Sequence, residues 1–146
     1  MVMFIDWQFG RIVNKTKGLG LWDQTVTMFF TDHGEYLGDY GLIEKRPSGV
    51  SDSLVHEPII IGGACLTKGV VYEEMGEMVD LVPTVLLLGT IAETYAQCGV
   101  SLVDAIHAAA RGKVLPHKNY NFIEVGGAAA RTVAVSLLHQ SQPAAP

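Results

Sequence analysis

Residues 31–35, Thr-Asp-His-Gly-Glu, are the stretch whose side chains could do chemistry. Asp32 and His33 stand side by side, directly after an apolar run from Val26 to Phe30. A carboxylate is a hard oxygen ligand and an imidazole a nitrogen ligand, so the pair suits a divalent metal. In open α/β sheets, ligands gather where strands end at their carboxyl side. The residues alone equally allow a plain strand-to-loop turn, with Asp32 bonding local backbone. Other candidates have weaker patterns. The acid-rich stretch from Glu73 to Asp80 fits no calcium loop, because it lacks that loop's spacing and terminal bidentate glutamate. It reads as a solvated face. His107 reads as a surface or core histidine rather than a ligand, and His56 as structural.

The elements that must position the pair follow from patterning. Residues 25–31 are apolar and rich in β-branched and aromatic side chains, as in a strand covered on both faces. A long loop, 34–53, follows, holding Gly34, Gly38, Gly41, Pro47 and Gly49. Loops this long inside a compact domain are usually functional or mobile. Its charged members are Glu35, Asp39, Glu44, Lys45 and Arg46, and by itself Lys45 reads as a solvated lysine. A second strand is expected over 57–61, closed by Gly62-Gly63.

Upstream, Val2, Ile5, Phe9, Ile12 and Thr16 recur at three- and four-residue steps, which predicts a helix over 2–17 stopped by Gly18 and Gly20. Asp6 and Arg11 fall off that stripe and Trp7 reads as packing. Downstream, Asp80 precedes Pro83 as an N-cap would, predicting a buried helix to about Leu88 with Gly89 as its stop. A helix over 101–110 and an edge strand over 119–125 come next. The tail 128–146 is Ala-, Ser-, Gln- and Pro-rich and expected to be poorly ordered, with a short helix over 132–138 before it frays.

The chain has 146 residues, 49% apolar and 17% charged, a globular composition of one-domain length. A net charge of −5 with no basic run argues against nucleic-acid binding. The longest apolar stretch, 81–92, is interrupted by Pro83 and Gly89 and falls short of the ~20 residues a membrane span needs. The amino end carries no secretory pattern, so a cytoplasmic setting is the default expectation. Cys65 and Cys98 do not make a disulfide framework.

Several motifs in order resemble the sulfatase family of the alkaline-phosphatase-like superfamily. They are Phe30-Thr31-Asp32-His33-Gly34-Glu35, then Leu37-Gly38-Asp39-Tyr40-Gly41-Leu42, then Lys45. Asp6-Trp7-Gln8-Phe9-Gly10-Arg11 and Leu19 to Thr25 precede them. Pro58 to Gly63, Val79-Asp80-Leu81-Val82-Pro83-Thr84 and Gly99-Val100-Ser101-Leu102 follow. Together they cover roughly residues 2 to 126. The resemblance implies an α/β fold, part of a three-layer sandwich with a mixed sheet and flanking helices, over residues 1–127. It implies a metal-dependent hydrolase of sulfuric esters. Asp32 and His33 would be ligands of a divalent metal, most simply Ca2+, and Lys45 a catalytic cation binding the sulfate and leaving-group oxygens.

The family's nucleophile, a formylglycine made from Cys or Ser in a C-x-P/A-x-R motif, has no counterpart here. Neither Cys65 nor Cys98 begins that motif, and the family's earlier pair of metal-binding aspartates is also absent. The resemblance therefore implies the later portion of a catalytic domain, with little activity alone. Such a portion should self-associate or dock to a complementary chain, because its strands would expose edges and apolar faces. A phosphoryl or phosphonyl ester hydrolase on the same scaffold, and a non-catalytic interaction fragment, are the alternative readings. The triplet His56-Glu57-Pro58 departs from the family's usual apolar middle residue.

Overall fold

The computed structural model describes residues 1–45, 49–63, 66, 69–118, 120–127 and 130–137. Helix α1 (Val2–Gly18) forms on the predicted stripe, with Lys15 and Lys17 in its last turn, where cations favour the carbonyl end of the helix dipole. Its stripe meets β1 through one aromatic contact. Phe9 packs edge-on against Phe29 of strand β1 (Val26–Phe30), 5.8 Å between ring centres. Val2, Ile5 and Ile12 remain exposed. Trp7 packs on Phe4 and lies under the Arg11 guanidinium, 5.1 Å away.

β1 pairs antiparallel with β2 (Ile59–Gly63), in a register that sets Phe30 opposite Ile59 and Val26 opposite Gly63. The strand begins and ends one residue inside the predicted span, and β2 lies two residues later than expected. β1 is half-buried rather than covered on both faces, and Phe30 is exposed. The reason is that the described residues supply it with one paired neighbour and one helix contact, not a sheet flanked on both sides.

The short helix α2 (Asp52–Val55) precedes β2 and buries Leu54. Helix α3 (Leu81–Leu88) starts directly after a 3-10 turn at Met78–Asp80, and helix α4 spans Val103–Ala110. The core lies between these two: Leu81, Leu102, Val103, Ala105 and Ala108 are buried, together with Pro83 and Thr84. The expectation that α3 is buried all round is corrected. Val82, Val85 and Leu87 are exposed, because α4 covers one face and nothing among the described residues covers the other.

A second antiparallel pair, β3 (Tyr120–Gly127) and β4 (Ala130–Leu137), closes the described chain. β3 fulfils the predicted edge strand. β4 corrects the short helix expected over 132–138: Val133, Val135 and Leu137 recur at two-residue steps, and β-branched positions with that period favour a strand once a partner is available. Residues 138–146 lie outside the described residues. No described helix is long and apolar enough to cross a membrane.

Candidate functional site

The β1–β2 register decides where the chemistry-bearing tip lies. With Phe30 opposite Ile59, the chain leaving β1 runs beside the residues entering β2. Thr31 donates its hydroxyl hydrogen bond to the Glu57 carboxylate, and the Gly34 amide donates to the Leu54 carbonyl at 3.0 Å. Glu57, the residue that departs from the family's apolar pattern, is thereby half-buried and bonded. Gly34 is required for this approach: a Cβ there would lie 2.0 Å from the Ser53 carbonyl oxygen. Residues 31–34 are thus held on both sides, and Asp32 and His33 project from the tip.

Lys45 returns to the same place through a folded loop. Gly38 donates to the Leu42 carbonyl (2.8 Å), Asp39 to that of Tyr36 (2.9 Å), and Ser53 Oγ to Asp39 Oδ2 (2.9 Å). Tyr36 is buried and meets Tyr40 edge-on. The fold-back holds three non-glycine residues in the left-handed region, Leu37 (φ 51°), Tyr40 (φ 56°) and Glu44 (φ 62°). Each costs on the order of 1 kcal/mol, and such residues cluster at functional sites. Glu44 immediately precedes Lys45.

The structure brings all three predicted site residues together. Lys45 Nζ lies 2.7 Å from His33 Nε2, and Asp32 Oδ2 lies 3.6 Å from the same nitrogen. Asp32 Oδ1 accepts the His33 amide at 3.0 Å, and His33 Nδ1 faces the Gly34 carbonyl at 2.9 Å. A carbonyl only accepts, so Nδ1 carries the proton and Nε2 presents its lone pair. The Asp32 side chain is 85% exposed and that of His33 38%. The trio therefore sits on an open surface where a ligand can reach it.

The donor set suits a divalent ion in part. A carboxylate oxygen and a neutral imidazole nitrogen face the same side of the loop at a spacing two donors on one ion can share. Among the described residues, no group of three His, Cys, Asp or Glu side chains could hold an ion. Calcium takes 6–8 oxygen ligands, so Asp32 and His33 can be only part of a complete site. Of the cysteines, Cys98 is a free, exposed thiol and Cys65 lies outside the described residues. His56 is exposed, away from this trio's hydrogen bonds.

A second ionic cluster lies in the interior, and most of it went unread in the sequence. Asp80 is fully buried. Its Oδ1 accepts from the Val100 amide (2.8 Å) and Lys118 Nζ (2.7 Å), and its Oδ2 from the Glu77 amide (2.9 Å) and His117 Nε2 (3.1 Å). Lys118 also pairs with Glu77. Burial pushes the Asp80 carboxyl up. The bonds from Lys118, Val100, Glu77 and His117 outweigh it, leaving the group below its ordinary value. Burial likewise pushes the Lys118 ammonium down, and its bonds to Asp80 and Glu77 leave it raised overall.

The solvated-face reading of 73–80 is thus corrected for Glu77 and Asp80. Asp80 stands at the predicted N-cap position, but its side chain makes no cap bond to α3. It bonds the Glu77 amide of its own turn and reaches outward to two other segments, at Val100 and at His117-Lys118. Thr84, also fully buried, accepts from the Leu102 amide (2.8 Å) and donates to the Asp80 carbonyl. Gly99 allows the contact, since a Cβ there would meet the Val79 carbonyl oxygen at 2.1 Å. The sequence offered one signal, an acidic stretch and a later His-Lys pair of opposite character. Nothing in it said that 37 residues of separation would close.

Comparison with known proteins follows the same motifs. The sulfatase family model matches residues 1–91, which include Asp32, His33, Lys45, Asp80 and Thr84. The chain belongs to the sulfatase family. It is 28% identical over 127 residues to arylsulfatase K of Danio rerio, covering 87% of this chain and 24% of that protein. It is 33% identical over 88 residues to the multifunctional alkaline phosphatase superfamily protein PehA of Trinickia caryophylli, covering 59% of this chain and 17% of that one. Its fold matches a crystal structure of a Bacteroides thetaiotaomicron protein classed provisionally as a sulfatase. The TM-score there is 0.65 and the identity 22%, over 79% of this chain and 25% of the other. The alkaline-phosphatase-like α/β fold is therefore shared. This sulfatase-family chain spans about a quarter or less of the length of these relatives.

Proposed function

We propose that this chain supplies the later part of the catalytic site of a sulfuric-ester hydrolase. Asp32 and His33 hold part of a divalent-cation site, most simply for calcium, and Lys45 faces the anionic ester. The observation that carries this reading is the convergence of Asp32, His33 and Lys45 on one exposed tip. When bound, the ion would neutralise charge developing on the ester oxygens. Lys45 contributes a further positive charge on the sulfuryl or leaving-group oxygen, Asp32 offers its free Oδ2, and His33 is held by Gly34 in the tautomer that presents Nε2. No residue of this sequence stands in a C-x-P/A-x-R motif, so the nucleophile and the remaining ion ligands come from polypeptide outside these 146 residues.

That polypeptide has surfaces to cover. A groove of about 780 Å³ is bounded by β2, residues 70–76 and α4, and Ile59, Ile61, Leu102 and Ile106 line it beside the carboxylates of Glu57 and Glu73. Ile60 of β2 and Val82, Val85 and Leu87 on the uncovered face of α3 are exposed as well. Exposed apolar side chains on several elements favour association. The chain alone should elute as an oligomer, or bind a segment carrying the missing motif.

The test is aryl sulfate hydrolysis with calcium, by the chain alone and co-expressed with the first portion of a relative's catalytic domain. Turnover is expected only in the second case and is lost on Asp32→Ala. Turnover unaffected by that change overturns the reading. PehA, a relative from the alkaline phosphatase superfamily, favours running an aryl phosphate beside the sulfate. A strong preference for the phosphate would replace sulfuryl with phosphoryl transfer at the same residues.

A further inference from the structure

The contact between Lys45 and His33 bears on how the site is loaded. A neutral imidazole has one ring nitrogen that donates and one that accepts, and the accepting nitrogen has a single in-plane lone pair. The Gly34 carbonyl fixes Nδ1 as the donor. The Lys45 ammonium has only donors, so its 2.7 Å contact with Nε2 uses that lone pair. A metal ion bound to His33 needs the same lone pair, because the other nitrogen is turned into the backbone. An ammonium and a dication cannot share it.

We infer that Lys45 is an internal competitor for the metal position at His33. In the absence of an ion, its ammonium occupies Nε2, beside Asp32 Oδ2 at 3.6 Å from that nitrogen. A divalent cation displaces it, and the displaced ammonium is then free to meet an anion at the open face of the tip. Loading the ion and presenting the anion-binding lysine are one event. Lys45 is suited to this, since it is exposed, sits at the end of a folded loop, and has His33 as its hydrogen-bond partner among the described residues. The inference rests on the metal reading of Asp32 and His33.

Titrations of the full chain with Ca2+ and with Mn2+ test it, followed by NMR of the His33 ring and the Lys45 side-chain methylenes. The variants are Lys45→Met, His33→Ala and the double variant. Both positions are exposed, so folding is monitored by the unchanged amide spectrum elsewhere. Lys45→Met keeps the unbranched stem, one atom shorter, and removes the charge. It should tighten ion binding about tenfold, the order of the one charge-assisted hydrogen bond at Nε2 that the ion no longer has to break. In the His33→Ala background the same change should have little effect, because the contested lone pair is gone.

Ion binding equally tight in wild type and Lys45→Met overturns the competition while leaving the metal reading standing. Tightening of equal size with and without His33 also overturns it, since it would reduce Lys45 to a distant repulsive charge. Failure of both wild type and Lys45→Met to bind either ion, also when co-expressed with the first portion of a relative's catalytic domain, removes the metal reading and the inference together.

Discussion

The chain holds two groups built from the same three residue types, an aspartate, a histidine and a lysine, and they do opposite things. Around Asp80, four donors meet four acceptor positions in a fully buried setting, and both His117 and Lys118 are spent on the carboxylate. Around Asp32, one carboxylate oxygen is used by the neighbouring amide and the other is open, while Lys45 holds His33 by one exposed contact. A buried charge is stable only when its bonds are complete. A binding site must keep some incomplete. The saturated trio ties the acid-rich stretch, the Gly99–Leu102 loop and the start of the carboxyl-terminal hairpin together. The unsaturated trio is where a ligand can be taken up.

The sharpest way to break this contrast is to remove the acid from each trio. Asp80→Ala leaves Lys118 buried beside Glu77 alone and His117 without its acceptor. It should cost about 3–5 kcal/mol in urea denaturation, the range for breaking one partner of a buried pair. Asp32→Ala should leave the denaturation midpoint unchanged and remove ion binding. A comparable loss of stability in both would show that the exposed trio is structural after all.

Next in size is Thr84→Val. It keeps shape but strips the acceptor from the buried Leu102 amide, and about 1–3 kcal/mol of stability should go with it. Gly34→Ala comes third. Its Cβ meets the Ser53 carbonyl, so the tip must shift. A modest fall in thermal midpoint is expected, with a larger loss of Ca2+ binding, read by the two measurements side by side.

The smallest and most diagnostic effect is in pH. Asp80 is depressed in the fold, so its contribution is present above the ordinary carboxylate value of 3.8 and is lost as pH falls through the lower folded value. Lys118 is raised, so its contribution is present below 10.5 and is lost as pH climbs through the higher folded value. Stability should therefore hold between those limits and drop outside them. Asp80→Asn should flatten the acid limb, measured as the thermal midpoint from pH 2 to 6. An unchanged acid limb would show that other carboxylates govern it.

Much of the candidate site's placement was legible because its signals are local. The run Val26–Phe30 with its abrupt polar end marked a strand and its tip, and the ordered motifs through Lys45 marked the family. The register of β1 on β2 was not legible, since Ile59–Gly63 could have paired from either side of β1. Nor was the strand at 130–137, where alanine and leucine favour helix locally and pairing with β3 overrides them.

Sequence by itself determined the family, the acid–imidazole tip, and the absence of a nucleophile motif, because each is written in contiguous residues. Tertiary structure alone decided which Asp–His–Lys group is sealed and which is open. That depends on burial and on bonds closed across 12, 37 and 38 residues, from His33 to Lys45 and from Asp80 to His117 and Lys118. The free energy of a charge depends on what surrounds it, and no spacing along the chain records that.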